Sequence, residues 1–163
     1  MAAVIFDLNG TMIDDMQYHL KVWYDVLHEL GANLSIDQVR NHMYGKNDEL
    51  LTRIFGESKF TQQEIDKISK HKEDLYQQIY RPHLELLPGL DLFLSQAHAA
   101  GIKIAIGSAA IPYNINFVLD NLNIRHYFQA IVSAHDVLMS KPHPEVFLKA
   151  AEQLGVDAAH CIV

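Results

Sequence analysis

Val4-Ile-Phe-Asp-Leu-Asn-Gly-Thr11 is a short apolar run that ends on a carboxylate, an amide and a glycine. A run rich in Val and Ile, with no polar alternation, reads as a strand buried on both faces of a parallel sheet. Working outward, Val4–Leu8 is matched by three more runs, Ile102–Gly107, Ala130–Ser133 and Cys161–Val163. Helical stretches lie between them. Leu90–Ala100 stops at Gly101, Pro112–Leu122 follows the second run, and Pro144–Leu154 stops at Gly155. Proline in a first turn and glycine just past the end are the expected asymmetry. Strand–helix repetition at this spacing predicts an open α/β sheet with parallel strands.

The stretch from 15 to 88 breaks that rhythm. Tyr18, Val22, Val26 and Leu30 recur at helical spacing before Gly31, and Ser35-Ile-Asp-Gln38 and Thr61-Gln-Gln-Glu64 both read as capping boxes. A helical module over 15–88 is therefore predicted to interrupt a core made of 1–14 and 89–163. The outgoing hinge is Thr11–Asp15, and the return is marked by Pro82 and Pro88-Gly89.

Composition narrows the partners. The 163 residues carry 13 Lys+Arg against 20 Asp+Glu, a formal charge of −7, which argues against a nucleic-acid partner. An apolar share of 49% supports a packed core. No apolar run approaches the roughly 18 residues that cross a bilayer, and Asp7 interrupts the first run too early for a secretion signal. The single cysteine, Cys161, builds no disulfide framework, which points to the cytoplasm. None of the 10 histidines forms a His-x-x-x-His pair. A monomer is expected.

The chemistry collects where a parallel sheet gathers ligands, at the carboxyl ends of its strands. At the carboxyl end of the first run come Asp7, Asn9 and Gly10, at that of the second Ser108, and Lys141 in Ser140-Lys-Pro lies beyond the third. A carboxylate, a hydroxyl and an ammonium thus converge on one rim. Taken alone, Asp7 and Asn9-Gly10 fit a simple turn equally well.

Taken together, Phe6-Asp-Leu-Asn-Gly-Thr11, Ser108 at the end of Ile104-Ala-Ile-Gly-Ser108, and Lys141, in that order around a helical insert, resemble the haloacid dehalogenase-like (HAD) hydrolase superfamily. The closer likeness is to its β-phosphoglucomutase-like branch, and Asp14, Tyr18-His19 and Trp23 are similar to the start of that branch's cap. The resemblance implies a Rossmann-like core with a helical cap. It also implies phosphotransfer on a small phosphorylated substrate, most simply a sugar phosphate, by a phosphatase or a phosphomutase. Asp7 is then the nucleophile that forms an aspartyl-phosphate. Mg²⁺ would quiet the repulsion between anions, held by Asp7, the backbone carbonyl of Asn9 and an acidic residue after the fourth strand. Ser108, Ala109 and Lys141 would hold the transferring oxygens. In the cap, His19, the Tyr44-Gly-Lys-Asn47 loop with Gly45 and Lys46, and Lys72 would set the substrate. His19 would also be an alternative proton donor.

Two departures stand out. The family pattern has an acid where this chain has Asn9, and an amide has no proton to shuttle near neutral pH. Loss of general acid–base help costs about 10²–10⁴-fold, so weakened activity is expected, and a catalytically impaired phosphate-binding or regulatory domain is the alternative. Asn9-Gly10 is also a deamidation-prone pair. Beyond Val163 the family places further acidic residues, so the sequence reads as part of a longer chain that holds Mg²⁺ poorly by itself.

Overall fold

The structure is a computed structural model that describes residues 3–163; residues 1 and 2, where the expected core begins, lie outside the described residues. Four strands form one sheet in the order β3-β2-β1-β4: β1 (Ala3–Phe6), β2 (Lys103–Gly107), β3 (Ala130–Val132) and β4 (Cys161–Ile162). All pairings are parallel, with Phe6 opposite Ile106, Ile106 opposite Ile131, and Val4 opposite Ile162. Each strand is one residue shorter than its apolar run, and β1 and β3 end before theirs because the carboxyl ends leave the ladder to form the rim loops.

Period-2 alternation shows why these runs are apolar throughout. Ala3 and Ile5, Ala105, and Ala130 and Val132 pack with Val146, Ala150, Ala151 and Leu154 of helix α7 (Glu145–Leu154). Residues of opposite parity face the other way, where Phe6 meets Phe93 of α5 (Leu90–Ala99) edge-on at 5.9 Å. Helix α6 (Pro112–Asn121) follows β2 with its proline in the first turn. Pro144 caps α7 from outside rather than opening it.

The chain divides into two compact units. One comprises the sheet and its helices; the other runs from Asp15 to His83. The return boundary thus falls earlier than the expected 88. Leu84–Pro88 belong with the sheet unit, where the Leu87 N–H donates to the Met12 carbonyl at 2.9 Å.

The second unit is helical: α1 (Met16–Glu29), α2 (Ile36–His42), α3 (Asn47–Phe55) and α4 (Gln62–Tyr80). Both expected capping boxes form. The Ser35 hydroxyl accepts from Gln38 N–H while the Gln38 side chain accepts from Ser35 N–H, and Thr61 and Glu64 do the same. The buried face of α1 is His19, Val22, Trp23, Val26 and Leu27. Tyr18 and Leu30, expected in its stripe, are only half-buried, so the stripe is turned by about one position. No helix among the described residues is long and apolar enough to cross a membrane.

Candidate active site

At the carboxyl rim, Asp7 directly follows β1 and its Oδ2 lies 2.6 Å from Lys141 Nζ. Asp7 Oδ1 accepts the Leu8 N–H at 2.8 Å, which fixes the carboxylate's orientation. Both side chains are about a third open to solvent, 30% for Asp7 and 28% for Lys141. Such a pair adds little to stability, but it leaves the carboxylate reachable. Ser108 leaves the adjacent strand one position past Gly107, and neighbouring strands lie about 4.8 Å apart. The rim therefore brings Asp7 and Lys141 into contact, with Ser108 on the next strand.

Ser108 is buried and structurally occupied. Its N–H donates to the Val132 carbonyl at 2.9 Å, and its hydroxyl accepts the Ala110 N–H at 3.1 Å. The sheet thus takes the Ser108 N–H. Gly107 must be glycine for packing, since a Cβ there would lie 2.9 Å from the Phe147 ring. That ring also lies 5.8 Å from Lys141 Nζ, so it braces the lysine's seat.

Sequence reasoning missed Glu145. Its two carboxylate oxygens accept the N–H groups of Leu138 (3.1 Å) and Met139 (2.6 Å), closing the loop that presents Lys141. Those backbone donors, Met139 first, hold the Glu145 carboxyl below its ordinary range. The only signal in sequence is an acid in the first turn of α7. A carboxyl held low contributes order that is complete above the ordinary Glu range and lost as pH falls through its lowered value. Glu145→Gln, which keeps the shape but replaces one acceptor oxygen with an NH₂ donor and leaves the other uncharged, is expected to speed amide exchange at Leu138 and Met139 above about pH 5. Unchanged exchange at both amides would refute that bracing.

In the helical unit, His19 and Lys72 meet inside a buried polar cluster. Lys72 Nζ lies 2.7 Å from His19 Nδ1 and 2.9 Å from Glu73 Oε1. His19 Nε2 lies 3.1 Å from Asp15 Oδ2, which also accepts the Tyr76 hydroxyl at 2.7 Å. The imidazole stacks on Tyr76 at 3.9 Å. Burial, and then Lys72, lower the His19 pKa, and the ring stays neutral near pH 7. Lysine only donates, so Nδ1 accepts and Nε2–H donates to Asp15. Both ring nitrogens are thus committed inside this unit, which leaves the ring no proton to hand on in this arrangement. Burial, and then Asp15, raise the Tyr76 pKa.

Lys72 and Glu73 are 2% and 3% exposed, and Glu73 Oε2 has no hydrogen-bond partner. Removing one partner of a buried ion pair leaves the other charge uncompensated. Lys72→Met is therefore expected to lower unfolding stability by about 3–5 kcal/mol, with much of it restored in the Lys72→Met/Glu73→Leu double variant. Urea denaturation checks this; a single-variant cost below about 1 kcal/mol would contradict the pairing. The lowered His19 pKa means that the unfolded chain takes the proton first, so stability falls as pH drops below about 6.5. His19→Gln should flatten that part of the pH profile in urea melts.

Gly45 and Lys46 lead into α3. Gly45 has φ +75°, and a Cβ there would strike the Glu49 carboxylate, whose Oε2 accepts the Lys46 N–H at 3.0 Å. Arg53 donates to the carbonyls of His42 and Tyr44 and stacks 3.7 Å over the Tyr44 ring, which fixes the loop from behind.

Mg²⁺ fits these residues as a partial shell. Asp7 and the Asn9 carbonyl are hard oxygen donors of the right type, against about six positions to fill. Among the described residues, no group of three or more His, Cys, Asp or Glu side chains surrounds a metal position.

A two-unit chain with an aspartate–lysine pair on the rim of a parallel sheet is the layout of a known class. The haloacid dehalogenase-like hydrolase family model matches residues 4–163, and the chain belongs to that family. Within it, the chain falls in the β-phosphoglucomutase-like branch and is an enzyme of that kind. It is 32% identical to a β-phosphoglucomutase of Bacillus subtilis (strain 168) over 99% of this chain and 73% of that protein. It is 28% identical to the fructose-1-phosphate phosphatase YqaB of Escherichia coli (strain K12), over 99% and 85%. The crystal structure of β-phosphoglucomutase from Clostridium difficile superposes with a TM-score of 0.85 at 29% identity, covering 99% of this chain and 74% of that one.

Proposed function

We propose that this chain carries out Mg²⁺-dependent phosphotransfer on a small sugar phosphate, as a phosphatase or phosphomutase, through an aspartyl-phosphate on Asp7. The observation that carries it is the 2.6 Å Asp7–Lys141 pair at the carboxyl rim, reachable by solvent and buttressed by Glu145 and Phe147. The names of the relatives, a β-phosphoglucomutase and a fructose-1-phosphate phosphatase, support the sugar-phosphate class.

Asp7 attacks phosphorus while Lys141 offers charge-assisted hydrogen bonds to the transferring oxygens. The Ala109 N–H and the Ser108 hydroxyl complete that cradle. Mg²⁺ would be held by Asp7 and the Asn9 carbonyl, with water in the other positions, and would neutralise charge where the two anions meet. Asn9 orients through its amide but gives no proton, so departure of an alkoxide is slow. The helical unit acts as the cap, with Gly45 and Lys46 in its substrate loop, and the His19–Lys72 pair keeps that cap's core in shape.

Asn9 favours a second reading, a domain that binds phosphate and turns over little. A panel of sugar phosphates with Mg²⁺, followed for both phosphate release and isomer formation, separates the two. Turnover of any member above the buffer rate supports the enzyme. Saturable binding with none supports the binding domain.

A further inference from the structure

We propose that Asn9 is a self-modification site, at which the side-chain amide hydrolyses through a cyclic imide with Gly10 and leaves an aspartate at position 9. Asn9-Gly10 is the only Asn-Gly pair in the sequence. It sits in a tight rim turn in which the Leu8 carbonyl accepts the N–H groups of Thr11 (3.3 Å) and Met12 (2.9 Å). Gly10 is exposed, at φ +70°, and Asn9 is half-buried, so water and hydroxide reach both. With no side chain on Gly10, nothing on that residue hinders its nitrogen from approaching the Asn9 amide carbon.

The chemistry needs only water. The Gly10 nitrogen gives its proton to hydroxide and attacks Asn9 Cγ, closing the imide; the Cγ–NH₂ bond then breaks as the leaving nitrogen takes a proton from water, so ammonia departs and hydroxide is regenerated. Water then opens either imide bond. Opening that restores the original peptide bond gives aspartate and leaves the backbone length unchanged. Opening the other way gives isoaspartate and puts an extra methylene into the main chain. Asn9 is bridged to Ile13 across this turn, and the turn's own hydrogen bonds fix its span. The longer backbone cannot keep both, so the fold biases the opening toward aspartate. The functional consequence rests on the phosphotransfer reading, because an acid at position 9 supplies the proton that Asn9 lacks.

The full chain, freshly purified, is aged in mildly alkaline heavy-oxygen water and mapped by peptide mass spectrometry. Heavy oxygen is expected at residue 9, with aspartate exceeding isoaspartate in the folded protein and the reverse in a free peptide spanning 7–12. Asn9→Gln, which would require a larger ring, should take no label. Phosphate release from a sugar phosphate should rise with the labelled fraction toward the level of gene-encoded Asn9→Asp, about 10²–10⁴-fold above unaged protein. No label at residue 9 while the free peptide is labelled, or isoaspartate in excess in the folded chain, overturns the modification. If residue 9 converts but encoded Asn9→Asp is no more active than the parent, the modification stands and the phosphotransfer reading fails.

Discussion

Asp7→Asn protein is expected to fold as the parent does and to lose phosphotransfer by on the order of 10⁴-fold or more. The stability half follows from exposure: the Asp7–Lys141 pair is about a third open, and pairs of that kind are worth about 0–1 kcal/mol. The amide of the variant also keeps an oxygen to accept the Leu8 N–H that now binds Asp7 Oδ1 at 2.8 Å. The activity half follows from chemistry. A neutral amide oxygen is a poor nucleophile toward phosphorus, and the covalent route closes when the carboxylate is gone. Steady-state phosphate release, with circular dichroism as the folding control, checks both halves. Activity within about tenfold of the parent would remove Asp7 from the reaction.

Asn9→Asp is expected to raise turnover of sugar phosphates by about 10²–10⁴-fold, while turnover of an aryl phosphate changes by less than about tenfold. The contrast arises from the leaving group. An alkoxide needs a proton as its bond to phosphorus breaks, and an aryl oxide leaves without one. If position 9 acts through the proton, the benefit tracks leaving-group basicity; if it acts only by orienting, both substrates respond alike. Rates for the two substrate types, with parent and variant at one pH, read this directly. Equal gains on both would show that the amide's deficit is one of geometry.

Most of the sheet unit was legible because its signals are local. The four Val- and Ile-rich runs mark strands buried on two faces, and Asp7, Asn9 and Ser108 sit at the ends of the first two, while Lys141 comes after a longer loop beyond the third. The capping boxes at Ser35 and Thr61 were equally readable, since a cap is written in four consecutive residues. The Asp15–His19–Lys72–Glu73–Tyr76 cluster was not legible as a cluster. Its contacts span up to 61 positions, and a Lys-Glu pair on a helix reads from sequence as a solvated face. Glu145 was hidden for a related reason. Its partners are backbone N–H groups, which have no side-chain identity to read. The return boundary was placed late because Pro88-Gly89 is the stronger turn signal, while the Leu87–Met12 hydrogen bond that ties residues 84–88 to the sheet unit leaves no trace in composition.

The central claim is that Asp7 accepts the phosphoryl group, and borohydride trapping tests it most directly. Protein mixed with Mg²⁺ and an aryl phosphate, which needs no proton from position 9, is quenched with borohydride and mapped by mass spectrometry. Reduction of an aspartyl-phosphate yields homoserine, and the account predicts homoserine at residue 7 and at no other aspartate. Phosphate release that proceeds with residue 7 intact, or homoserine at a different position, would contradict it.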